Sequence, residues 1–102
     1  MRFRFIGLYK STRTGKKFMA RFELDDGRTR TVHFGQAGAS DYTQHHDEER
    51  KTRYIARHER RENWDDPTTP GALSRWILWN LPDLQLSLID FKKRFMLADA
   101  LH

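Results

Sequence analysis

Cysteine is absent from the 102 residues, which excludes disulfides, thiolate metal sites, cysteine nucleophiles and iron–sulfur clusters together. Only three prolines occur, so few positions are barred from regular structure. No apolar run approaches the ~20 residues that would span a bilayer, and no membrane partner is expected. The opening Met-Arg-Phe-Arg-Phe alternates apolar letters with arginine and lacks the apolar core of a secretory signal. What is present is charge (32% of residues) and a high aromatic share, 13%, enough to build a small core despite only 37% apolar residues.

The net charge is +5, and it is unevenly placed. The first 40 residues carry nine Lys/Arg against three Asp/Glu, whereas residues 41–66 carry six against eight. A cationic N-terminal third attracts phosphates and acidic surfaces.

Period-two alternation over residues 1–35 predicts a three-stranded antiparallel meander. Phe3, Phe5 and Tyr9 alternate with Arg2, Arg4 and Leu8; Phe18, Ala20, Phe22 and Leu24 share one face of the second strand. A three-residue loop, Asp25–Gly27 with Gly27 left-handed, pairs Leu24 with Arg28, Ala20 with Val32 and Phe18 with Phe34. That register gathers the apolar side chains on one face, which a two-residue Asp-Gly loop would not. Arg2, Arg4, Lys17, Arg21, Thr29, Thr31 and His33 then form a basic opposite face.

One long helix is predicted over 43–62, started by Thr43 or Asp47, with Arg50, Tyr54, Arg57 and Arg61 sharing a side. The Asp65–Gly71 segment is a connector, and helices over 71–80 and 82–97 follow, with Pro82 in a first turn and 98–102 frayed. The expectation is therefore a single α+β domain, its three-stranded sheet covered by three helices. Ile55, Trp76, Ile77, Leu84, Leu88 and Phe91 are the residues expected to cover the phenylalanine face.

Nucleic-acid phosphate is the expected ligand, bound by Arg2, Arg4, Arg13, Lys16, Lys17 and Arg21, with Arg50, Arg53 and Arg57 as a second contact. Tyr42, Tyr54 or Trp64 would be available to stack on a base. The competing reading makes Asp41, Tyr42, His45, Asp47, Tyr54, His58, Trp64 and Arg75 a polar network that specifies the fold. In it Tyr42 packs beside Trp64, and Arg75 bridges an acidic helix to the C-terminal pair. The five histidines lack His-Glu-x-x-His spacing, so no metal site and no cofactor is expected. Ser40, Asp41 and His45 hold the letters of a triad, and Asp65-Asp66 those of a carboxylate pair, without anything to fix their geometry; the chain is not expected to be an enzyme. Leu8, Met19 or Trp79, left partly exposed, would join a second copy in the structural or protein-interaction alternative.

Phe34-Gly35, Asp41-Tyr42-Thr43, His45, Asp47, Arg50-Lys51, Arg53-Tyr54, Arg57-His58, Asn63-Trp64, Pro67-Thr68, Gly71, Leu73–Trp79 and Asp90–Phe95 together are distinctive. In this combination, over about residues 30–96, the chain resembles a small uncharacterised protein family of large nucleocytoplasmic DNA viruses, Marseillevirus-like giant viruses among them. The resemblance carries no activity. It implies a viral protein, virion-packaged or chromatin-associated, placed in the virion or in the cytoplasm or nucleus of an infected host cell.

Overall fold

In the computed structural model, residues 3–95 are described in full and 98–99 by their backbone. Arg2 and the remainder of the expected frayed end, 100–102, lie outside the described residues. Three antiparallel strands come first: β1 Phe3–Lys10, β2 Lys16–Leu24 and β3 Thr29–Gln36. Phe18 pairs with Phe34 and Ala20 with Val32, and the loop is closed by hydrogen bonds from Leu24 N–H to Arg28 and from Gly27 N–H to Leu24. Gly27 is left-handed at φ 86°. The register inferred from the hydrophobic pattern is the one adopted.

Strand β1 departs from simple alternation. Phe5 faces Phe22, but Gly7 faces Arg21, so the pairing slips by one residue at a bulge between Phe5 and Gly7. A bulge reverses the side-chain parity beyond it. Leu8 therefore joins the core beside Ala20, and Tyr9 moves out beside Met19, the reverse of the expected arrangement. A two-residue strand, β4 (Ala98–Asp99), lies parallel to β1 opposite Arg4 and Phe5, where a frayed end was expected. The sheet order is β3-β2-β1-β4.

The expected long helix is two. A short α1, Tyr42–His45, is capped by Asp41, and His46 closes it in the left-handed region at φ 55°. Asp47 then caps α2, Glu48–His58, by accepting from the Glu49 and Arg50 N–H groups. Thr69 caps α3, Pro70–Leu73, which runs directly into a π-helical turn at Ser74–Leu78. There Trp79 N–H reaches back five residues to the Ser74 carbonyl. The wider turn admits both Ile77 and Leu78 to the core and leaves Trp79 facing α2. Asp83 caps α4, Leu84–Arg94, so Pro82 precedes the cap instead of lying in the first turn.

Phe5, Phe22, Phe34, Leu73, Ile77, Leu78 and Phe91 form the buried centre, with Trp76, Leu84 and Leu88 packed against it. Each such side chain contributes about 1.5–3 kcal/mol by leaving water. Phe5 meets both Phe22 and Phe91 edge to face. Helices α3 and α4 and the π turn supply the cover; Ile55 of α2 is not part of it.

Candidate anion-binding cleft

Helix α2 is held away from the phenylalanine layer by a column of rings. Tyr54 lies flat on Trp79, His58 stacks on the other face of Tyr54 at 4.2 Å, and His45 approaches Trp79 at 5.3 Å. Tyr42 closes the column against His45 and donates its hydroxyl to Glu48 at 2.7 Å. That hydrogen bond raises the Tyr42 pKa, and burial raises that of Tyr54. The rings expected to stack on a base are therefore occupied within the fold.

The remaining network also differs from expectation. Trp64 meets Trp76, not Tyr42, and its indole N–H donates to Glu62 at 2.9 Å. Arg75 does not bridge helices: its guanidinium lies over Trp76 and Trp64 and donates to the Trp79 carbonyl. Burial, then the neighbouring Arg94 charge, lowers its pKa.

Around this column opens a cleft of about 530 Å³. One wall is α2, from which Arg50, Arg53 and Arg57 project at helical spacing; the other is the end of the β2–β3 hairpin with Lys16. Its floor includes Gly35, Leu78 and Trp79, and Gly71, Ser74 and His58 complete it. All four cations are exposed. Arg50 donates to Ser40 Oγ at 3.2 Å, and Arg53 has a loose 3.8 Å pairing with Glu49. Among the described residues Arg57 and Lys16 have no carboxylate within ion-pair reach.

The two carboxylates lining the cleft are already engaged. Asp41 accepts from Lys17 Nζ at 2.6 Å and from the Thr43 N–H that it caps. Glu62 accepts from Trp64 and meets His58 Nδ1 at 3.0 Å. Lys17, counted among the free cations from sequence, is instead a structural residue: its ammonium also donates to the Ala39 carbonyl and to Gln44.

The expected phosphate-binding set thus divides. Lys16, Arg50, Arg53 and Arg57 converge on the cleft; Arg13 is exposed in the β1–β2 loop. Arg4 and Arg21 lie on the uncovered face of the sheet, Arg4 paired with Glu23 at 3.3 Å. Of the triad letters, Asp41 is spent on Lys17, Ser40 on Arg50, and His45 Nδ1 on the Asp47 N–H at 2.9 Å. Among the described residues no three His, Asp or Glu side chains gather to hold a metal ion. The helical spacing of the arginines was readable in advance. Their meeting with Lys16, Ser40 and Gly71 was not, because tertiary packing alone creates it.

Residues 6–58 match the model of a family of unknown function (DUF5754), a span that takes in most of β1, β2, β3 and both α1 and α2. No curated protein and no solved structure matches the chain.

Proposed function

The chain belongs to the DUF5754 family of unknown function, and from the chemistry of its cleft we propose that it binds the phosphate backbone of nucleic acid with little base specificity. The observation that carries this reading is the convergence of Lys16, Arg50, Arg53 and Arg57 on one cleft whose two carboxylates are internally satisfied. Arginine forks suit phosphate oxygens, and unpaired exposed cations lose little on exchanging water for an anion. Among the described residues the tyrosine and tryptophan rings that line the cleft, Tyr54 and Trp79, are stacked on each other, which favours backbone contact over base recognition. The resemblance to giant-virus proteins supplies the setting: a viral genome, in the infected cell or packaged in the virion.

Titration with duplex DNA, single-stranded DNA, RNA and an acidic protein at several salt concentrations tests this. Three or four neutralised phosphates give a log–log salt slope of about −2 to −4. Charge removal at Arg53, Arg57 and Lys16 should flatten that slope with the fold intact. Failure to bind any nucleic acid near physiological salt defeats the proposal.

A protein-interaction role is supported by a different observation. Leu86 and Ile89 of α4 are 55% and 47% exposed, whereas Leu8, Met19 and Trp79, the expected candidates, are half-buried. Light-scattering mass across concentrations separates the self-associating form of this reading; a monomer throughout removes it.

A further inference from the structure

We infer that the cleft takes single-stranded nucleic acid in preference to duplex, with one base stacked on His58 and its phosphates on the α2 arginines. The inference rests on the phosphate-binding reading above and adds the form of the ligand. Two observations carry it.

The first is that the ring column has an open end inside the cleft. Tyr54 carries a stacked ring on each face, Trp79 and His58, but among the described residues Tyr54 is the sole ring stacked on His58. The His58 side chain is one-third exposed, at 33%, and lines the cavity. Its plane is set in advance: Tyr54 holds one face, and Glu62 holds Nδ1 at 3.0 Å. Glu62 is fixed in turn by Trp64 and lies tight against Gly71, where an added Cβ would come within 3.0 Å of its carboxyl carbon. A histidine ring held by a stacked tyrosine and one-third exposed within the cleft is a platform on which any base can continue the stack.

The second is shape. A cavity of about 530 Å³ is of the size that encloses a small ligand of one or two rings. A duplex presents its bases stacked internally and would rest across the rim, touching the arginines alone. In a single strand the base is free to turn in. Arg57 adjoins His58 in sequence and Arg53 lies one helical turn before Arg57, so the phosphates next to that base meet cations.

The test compares oligothymidylate and oligouridylate with a duplex of equal phosphate number. A companion strand carries a fluorescent adenine analogue whose emission falls on stacking. The wild-type chain should favour the single strands and quench the analogue, the two oligomers showing which sugar is taken. H58A should weaken single-strand binding about tenfold, abolish the quench and erase the preference over duplex. H58F should restore most of both. H58L, which keeps an apolar cover on Tyr54 but no π face, replaces H58A if that variant unfolds. Quenching that survives in folded H58A or H58L, or duplex bound as tightly as single strand by the wild type, overturns the inference while salt-sensitive binding leaves the phosphate reading standing. No binding by any nucleic acid overturns both.

Discussion

Tyr54 and Trp79 stack with ring centroids 4.5 Å apart and planes within 5°, and this pair fastens α2 to the end of the π turn. Apart from it, α2 is joined to the remainder by polar contacts at its N-terminal half: Lys51 donates to the Asn80 carbonyl at 2.6 Å, Tyr42 to Glu48 at 2.7 Å and Arg50 to Ser40 at 3.2 Å. Trp79→Ala should therefore cost about 3 kcal/mol by removing a large ring from a packed position. It should also release α2 before the sheet unfolds. Urea unfolding followed by tryptophan emission and by limited proteolysis within 46–62 checks this; a single cooperative transition with no early cleavage would contradict the local release.

Lys17 and Asp41 form an ion pair whose side chains are only 17% and 4% exposed. Removing one member of such a pair strands the other, and Lys17→Met should cost about 3 kcal/mol. The double variant Lys17→Met/Asp41→Asn should recover part of that loss, because asparagine can still cap α1. Arg4–Glu23 is the contrast: with Arg4 64% exposed, its removal should change stability by about 0.5 kcal/mol or less. Denaturant midpoints for the three variants make the comparison.

The strand register was legible because only one loop length placed Phe18, Ala20 and Phe22 on the face of Val32 and Phe34. The parity of Tyr9 was not, since the bulge before Gly7 has no compositional mark beyond a glycine that also suits a turn. Acidic residues at 47–49 pointed to a helix start, but the break at His46 needs a left-handed histidine, a conformation that side-chain pattern does not announce. The same break creates the His45–Asp47 hydrogen bond. Within the candidate site, the arginine spacing was visible from the helical period, whereas the engagement of Lys17 by Asp41 across 24 residues is a product of the folded chain.

His45 predicts a pH dependence. Its Nδ1 accepts the Asp47 N–H, so the ring proton sits on Nε2, which is buried without a hydrogen-bond partner. Burial foremost, and then the Arg50 charge, lowers its pKa below the usual histidine value. A depressed pKa means that the unfolded chain binds the proton more readily. The His45 contribution is thus complete above about pH 6.5 and is lost as pH falls through its lower folded value. The urea midpoint should decline across that interval, and His45→Asn, which keeps an acceptor for Asp47 but does not titrate, should decline less. Equal slopes in the two proteins would assign the effect to other groups.

Gly35 and Gly27 separate two reasons for requiring glycine. Both are left-handed, at φ 79° and 86°. A Cβ at Gly27 would meet nothing within 4 Å, so Gly27→Ala should cost only the backbone penalty, about 1 kcal/mol. At Gly35 the added Cβ would lie 2.9 Å from Leu78 Cδ1 and 3.1 Å from Lys17 Cβ. Leu78 is fully buried and Lys17 is held by Asp41, so neither can withdraw without losing its own contacts. Overpacking then adds about 1–3 kcal/mol to the backbone term. Gly35→Ala should be clearly the more destabilising of the two by thermal or urea unfolding. The double variant Gly35→Ala/Leu78→Ala should lose less than the sum of the two single changes, because the smaller side chain at 78 vacates the space that the new methyl needs. Simple additivity would mean that Leu78 is not what Gly35 accommodates.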